Sequence, residues 1–305
     1  MYYIHSIASI SHQDSFNVSN VCSKLEKLGQ ESEVIAPNYK EYVPPASLRR
    51  LSPVLRMGLT ASIECQNNTE KEFDAISVGT ALGCLRDTEK FLVTFHTATS
   101  DFLSPTAFIQ STHNTIGGQI SLGLKNHAYN MTHTQNNVSF EVALMDALMC
   151  IDEGKKQVLV GSADEQIPFL ELMQPNLIPD NYPLTSGASF FVISPEASSA
   201  SVCVQAVAVR FNPTDKTGEI EQFLANQQLT LNDIELALYA DQLPVETNEK
   251  TETLNFLEYS GLHYSASAFA MHIAHDSLKH SDKRYALIIN DMCSDKLGIT
   301  LLSKQ

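Results

Sequence analysis

The feature that most limits what this chain can fold into is a pattern of strand and helix signals that alternates, stops and starts again. Met1–Ile10 is mildly apolar and reads as a first strand. Asp74–Gly79 is a short apolar run closed by glycine, as a buried strand would be. Ser104–Leu124 carries small and apolar residues at helical spacing, with Ser104-Pro105 as cap and first turn. Ala128–Thr134 is a short strand. Val138–Asp152 is an amphipathic helix carrying Val138, Phe140, Leu144 and Leu148, and Gly154 stops it. Gln157–Gly161 is a β-branched run suited to burial on both faces, and Ser189–Ser194 is another strand. The pattern then restarts. Val202–Phe211 reads as strand, Gly218–Asn226 as helix, Ile234–Tyr239 as strand and Ala266–His280 as helix, with Tyr285–Ile289 and Gly298–Leu302 as closing strands.

Two such sets in one chain imply an α/β fold with helices covering the sheets. A chain of 305 residues is long enough for two halves at roughly 150 residues each. Ser194–Ser201 is the one plausible boundary. It is short, so residues 1–194 and 195–305 are expected to pack tightly as one unit.

Charge narrows the partners. Lys and Arg number 20 against 35 Asp and Glu, a formal charge of −15. Nucleic-acid affinity rests largely on Lys and Arg neutralising phosphates, so that class is disfavoured, as is an anionic membrane surface. An acidic partner is expected to be kept off most of the surface. No run of about 18 apolar residues is present to span a bilayer. Met1–Ile10 lacks the basic flank of a signal peptide, so a cytoplasmic location is expected. Cys22, Cys65, Cys84, Cys150, Cys203 and Cys293 are scattered without zinc-like spacing and read as free thiols. Gly79, Thr80 and Gly83 lack the spacing and Lys of a phosphate loop. Arg49, Arg50 and Arg56 read as one amphipathic helix with a solvated face, or as a contact for an acidic partner. His272, His275 and His280 sit towards the end of a predicted helix, where imidazoles suit the C-terminal dipole better than a zinc ion.

Three stretches carry a family likeness. Phe108–Leu124 (FIQSTHNTIGGQISLGL) resembles a helix of the form P-x-x-x-x-N-x-x-A-G-x-I-S. Asp152–Glu165 (DEGKKQVLVGSADE) resembles E-G-x-A-D-V-x-x-A-G-G-x-E. Tyr259–Ala274 (YSGLHYSASAFAMHIA) resembles T-G-H-x-x-G-A-A-G-A. All three are features of β-ketoacyl synthases, condensing enzymes of the thiolase superfamily. The resemblance implies a thiolase-like α/β fold: two pseudo-repeated βα halves in a layered α-β-α-β-α sandwich. This chain is about a hundred residues shorter than a usual member. In the family the nucleophilic Cys follows the helix glycine by about 19 residues and precedes the Glu by about 28. Counted from Gly118 and from Glu165, both spacings meet at Asn137.

The family's chemistry needs an activated thiolate, two imidazoles to stabilise an enolate and a Lys that orders the second His. By the same resemblance, Asn137 stands at the nucleophile, Asp241 at the first His, Leu262 at the second and Leu257 at the Lys, and Asn290-Asp291-Met292-Cys293 replaces a glycine-rich loop. His263, one residue on, is the one candidate to stand in for the second imidazole. An amide cannot form a thioester, and an aspartate repels a forming enolate, so the chain is expected not to condense substrates by itself.

Family members without the Cys are chain-length factors, which pair with a catalytic ketosynthase. The resemblance therefore implies a heterodimer with an active β-ketoacyl-ACP synthase, and an acyl carrier protein reached indirectly through that partner. No cofactor and no metal are implied. The run SPTAFIQSTHNTI, the run SASAF and the short length resemble the branch found in aryl-polyene and flexirubin pigment clusters. The tunnel-facing helix corresponds to Phe108–Thr115, so Phe108, Ser111, Thr112 and Thr115, with His133, are candidates for gating the acyl tunnel or for plain interface packing. His113 and His133 could also serve as acid–base groups in altered chemistry. Two other readings stay open: a malonyl-ACP decarboxylase used for priming, and an acyl-binding scaffold.

Overall fold

A computed structural model describes residues 1–69, 71–97, 105–177, 182–197 and 201–305, with the side chains of 174–177 left aside. Ten strands are present among the described residues: β1 (Tyr2–Ile10), β2 (Ala75–Gly79), β3 (Tyr129–His133), β4 (Val158–Asp164), β5 (Gly187–Ser194), β6 (Val202–Phe211), β7 (Leu236–Tyr239), β8 (Glu252–Asn255), β9 (Tyr285–Asn290) and β10 (Lys296–Lys304). They form one sheet in the order β3-β2-β4-β5-β1-β6-β10-β9-β7-β8. Outward from its middle the two arms mirror each other. Each runs first, fifth, fourth, second, third strand of its set. In each, the second strand pairs parallel with the third and fourth, and the fifth pairs antiparallel. Among the described residues the strand pairs Tyr2↔Val204 and Tyr3↔Cys203 join the arms within the sheet, and an isolated bridge links Leu184 to Leu262.

The helices are α1 (Pro45–Leu48), α2 (Pro53–Thr69), α3 (Leu85–Thr97), α4 (Pro105–Gln110), α5 (Thr115–Leu124), α6 (Ser139–Asp152), α7 (Pro168–Leu177), α8 (Lys216–Asn226), α9 (Leu257–Ser260) and α10 (Ala266–Lys279). Their apolar faces sort them into layers. Phe140 and Leu144 of α6 and Phe269 and Ile273 of α10 share one core with Phe191 of the first arm and Ile288 of the second. Leu55 and Met57 of α2 and Ile116 and Ile120 of α5 cover the outer face of the first arm. Ile220, Phe223 and Leu224 of α8 cover that of the second. The result is the expected α-β-α-β-α sandwich. Strand β4 is buried at every position, which explains its continuous apolar sequence. Gly154 takes φ +99° just past α6, a conformation that suits glycine at a helix end.

Two expectations fail. The helix read across 104–124 is two helices with a turn at 111–114 (Ser104, its proposed cap, lies outside the described residues). The hydroxyls of Ser111 and Thr115 bond back to the carbonyls of Phe108 and Ile109, at 2.7 and 3.0 Å, and such local bonds compete with a continuous helical ladder. The arginine cluster is not one solvated helix either. Arg49 and Arg50 lie in the turn before α2, and Pro53 opens a helix that is largely buried. Arg56 lies on α2 and donates from Nε to the Leu51 carbonyl at 2.9 Å. Of the Ser194–Ser201 connection, 198–200 lie outside the described residues.

Candidate functional site

A cavity of about 430 Å³ lies where the sheet ends of both arms meet. Three of the four positions that the resemblance marks as altered line it: Asp241 just past β7, Leu257 at the start of α9, and Leu262 before α10. The long separations in sequence close because β7 and β9 are parallel neighbours and α9–α10 fold back over them. Leu82, Leu170, Leu184 and Ala240 extend its apolar wall.

Asn137 does not line the cavity. It is completely buried at the foot of α6, and it is tied to Asn290 at the end of β9. Its Nδ2 donates to Asn290 Oδ1 at 3.3 Å, and Asn290 Nδ2 donates to the Asn137 carbonyl at 2.6 Å and to Glu141 Oε1 at 2.9 Å. A nucleophile must present itself to a substrate. This amide instead donates to a second amide, while its own Oδ1 is buried without a partner. Asn136 before it takes φ +54°, which Asn tolerates better than most residues. Glu141 beneath the pair is pushed up to about 7 by burial, although Asn290 donates to it. Burial also pushes the Cys293 thiol up, against a hydrogen bond from the Asn137 backbone that lowers it.

The polar side of the cavity is built from both arms. Asp164, at the end of β4, accepts from Thr80 Oγ1, the backbone N–H groups of Ala81 and Leu82, and Ser265 Oγ, at 2.6–3.0 Å. Burial raises its pKa despite these donors. Glu165 accepts from the Arg86 N–H and is raised to about 7, again by burial. Asp241 accepts from the Tyr182 hydroxyl at 2.9 Å. Lys216 Nζ sits 3.0 Å from Asp291 Oδ2.

His263 closes one wall. Thr185 Oγ1 donates to the Ser260 carbonyl at 2.8 Å, so its contact with His263 Nδ1 at 2.9 Å must be accepted from the imidazole. His263 therefore carries its proton on Nδ1. Next to it, His12 Nε2 accepts from the Ser186 N–H at 3.3 Å, and its Nδ1 lies 3.0 Å from Ser32 Oγ. Both rings are held neutral. Burial lowers His263 to about 3, with nearby His12 adding to the effect, and lowers His12 to about 4. His263 lines the cavity, but a neutral ring bonded to Thr185 is not an oriented imidazolium.

The gating candidates lie elsewhere. Phe108 and Thr112 are exposed, Ser111 is half-buried and Thr115 is buried at the α4–α5 turn, and none of them faces this cavity. His133, at the end of β3, lies 3.2 Å from Asp146, and its carbonyl accepts from the Thr80 N–H. His113 is exposed beside Gly83. His272 and His275 both approach Asp276, whose carboxylate also accepts from the Val21 N–H. His280 Nδ1 lies 2.9 Å from the Asp276 carbonyl at the end of α10. Among the described residues no group of three His, Cys, Asp or Glu is arranged to hold a metal ion. Nor is any helix long and apolar enough to cross a membrane. The sequence reading missed Tyr182 and Lys216, which carry no local signal: the meeting of the two arms brings Tyr182 to Asp241, and the folding of the second arm brings Lys216 to Asp291.

No curated protein matches the sequence. Solved structures do, at identities that speak to the fold alone. One is described as the ishigamide ketosynthase/chain length factor (14% identity, 99% of both chains, TM-score 0.81). A second is the AntDE:AntF assembly, described as a type II PKS acyl-carrier protein in complex with its ketosynthase bound to the hexaketide (14% identity, 100% of this chain and 99% of that one, TM-score 0.81). A third is the ketosynthase ApeO in complex with its chain length factor ApeC from Xenorhabdus doucetiae (15% identity, 99% of both chains, TM-score 0.63). The family model for the beta-ketoacyl synthase N-terminal domain matches residues 24–249. Since that span is about three-quarters of the sequence and the sandwich is the family's, the chain belongs to the β-ketoacyl synthases.

Proposed function

We propose that this protein is a non-catalytic ketosynthase-like subunit, a chain-length factor that pairs with an active β-ketoacyl-ACP synthase in the cytoplasm. In that pair it shapes the partner's acyl tunnel during polyketide or fatty-acid-like elongation, of which aryl-polyene synthesis is the favoured case. The observation that carries the reading is the buried amide pair Asn137–Asn290. It fills the position where condensation requires a thiolate, while Asp241, Leu257 and Leu262 stand where His, Lys and His would be.

A surface suited to a partner is present. Among the described residues β3 is an edge strand paired only with β2. Its Tyr129 and Met131 are exposed, and so are Leu122 of α5 and Met145 and Met149 of α6 beside it. An uncovered edge strand with apolar flanks is a ready surface for strand addition. The turn with Phe108 and Thr112 belongs to the same helix–turn–helix that leads into α5, which is why these residues are assigned to gating. A priming decarboxylase is the weaker reading, since no imidazole pair is available in the cavity and Asn137 does not face it.

The test is co-expression with a ketosynthase that keeps its Cys and both His. A stable complex of one chain each is expected, with elongation only when both are present and with product length changed by Phe108→Ala. The chain alone should neither transfer acyl groups nor release CO2 from labelled malonyl-ACP. A soluble monomer that performs either reaction overturns the reading.

A further inference from the structure

The cavity beside the proposed nucleophile position is not a neutral remnant, because among the described residues four carboxylates (Asp164, Glu165, Asp241 and Asp291) and a single lysine line it. His263 is 7% exposed and its Nδ1–H is spent on Thr185, which leaves an Nε2 lone pair with no donor from the protein. Asp291 has Lys216 on Oδ2, while its other oxygen, Oδ1, is buried without a partner. Asp241 receives the Tyr182 hydroxyl on Oδ1. Lys216, the one cation among the described residues that line the cavity, is engaged with Asp291. Tyr182 spends its proton on Asp241. What remains open on His263 and Asp291, and on the second oxygen of Asp241, is hydrogen-bond acceptor capacity.

Charge points the same way. The Lys216–Asp291 pair sums to zero, and His263 is neutral. Asp241 then leaves a net negative charge, with Asp164 adding another behind its four donors. Leu82, Leu170, Leu184 and Leu262 supply apolar lining. A carboxylate or a thioester enolate entering this space would meet these carboxylates against a lysine that is already paired, with neutral side chains such as Gln242, Tyr264 and Ser294 as the remaining donors. An ammonium group would meet acceptors on two sides, and an alkyl body attached to it would lie on leucine. We infer that the cavity is a binding site for a small organic cation, a primary ammonium on a short apolar body. The inference concerns this chain's own cavity and is independent of the proposed partner's tunnel. The volume of about 430 Å³ lies at the lower end for small-molecule pockets.

The test uses the full chain, alone and in complex with its ketosynthase partner, in an amine-free buffer at fixed ionic strength. Hexylammonium, hexanoate and hexanol are compared by calorimetric titration and thermal unfolding. Hexylammonium is expected to bind saturably and raise the unfolding temperature, and hexanoate to do neither. Asp241→Asn, a conservative change at a position with φ +61° that Asn also tolerates, should weaken hexylammonium by roughly tenfold without changing the ligand-free unfolding temperature. Asp291→Asn should weaken it at least as much, because it frees Lys216 to repel the ligand. Leu262→Phe, which fills the cavity while keeping its charge, should also reduce binding. Equal or tighter binding of hexanoate or hexanol overturns the inference, as does no binding by hexylammonium or an affinity unchanged in both Asp variants. Partner binding is read separately by size-exclusion chromatography, so the chain-length-factor reading can fail without touching this one.

Discussion

Glu141 shows how much of this site is decided by single side chains. It lies under Asn290, and its second oxygen is buried without a partner. Burial lifts its pKa from 4.5 to about 7, so the folded state favours the protonated form. The stability this confers is fully present below pH 4.5 and is lost as pH rises through 7. Glu141→Gln removes the titration and keeps an acceptor for Asn290. At pH 8 the variant should be more stable than the parent by about 1–3 kcal/mol, with little difference near pH 4.5, as read by urea unfolding at the two values. A variant equally destabilised at both would show that the carboxylate is needed in its charged form. The same scale carries the proposed non-catalytic role: an amide cannot form a thioester, and Asn137 is tied to Asn290.

At the scale of elements, β3 is the exposed piece. β8, the opposite edge, carries the exposed acidic Glu252, the kind of charge that guards an edge against further pairing. The exposed Tyr129-Asn130-Met131 stretch of β3 carries no charge. Met131→Lys should therefore abolish the complex with the ketosynthase partner on size-exclusion chromatography. Its effect on the unfolding temperature of the isolated chain should be small, because Met131 is 42% exposed. Retention of the complex would place the interface elsewhere. The broken helix between α4 and α5 belongs to this scale too. Its sequence has helical spacing throughout, and the break comes from hydroxyls whose preference for local carbonyls no periodicity count registers.

For the whole molecule, acid response is a balance. His12 and His263 have folded pKa values near 4 and 3, below the ordinary 6.5, so their contribution is complete above pH 6.5 and is lost as pH falls. Asp276, held well below the carboxylate range by His272 and His275 against the cost of burial, adds loss at still lower pH. Glu141 and Glu165 act oppositely between 4.5 and 7. The parent should thus show a shallow stability profile from pH 6.5 to 4.5. Glu141→Gln should show a steeper acid loss over the same range, and adding His12→Gln should flatten it again. Unchanged slopes across the three proteins, measured by thermal unfolding, would remove the imidazole pair from the account. The pair clamps Thr185 and Ser186 where β5 begins, so acid loss should be felt at the cavity wall.

The sequence by itself determined the layered α/β fold, because burial on one or both faces of an element leaves a periodicity that needs no neighbour to be read. It also supplied the expectation that the condensing chemistry is lost, from the residue types at Asn137, Asp241, Leu257 and Leu262. It did not determine what those positions became. Tyr182, Lys216, His263 and Asp291 line one cavity only because the two arms and the helices packed on them bring together residues from Leu82 to Ser294. The direction of each proton there depends on which neighbour is already satisfied, and that is a property of tertiary packing, not of any segment.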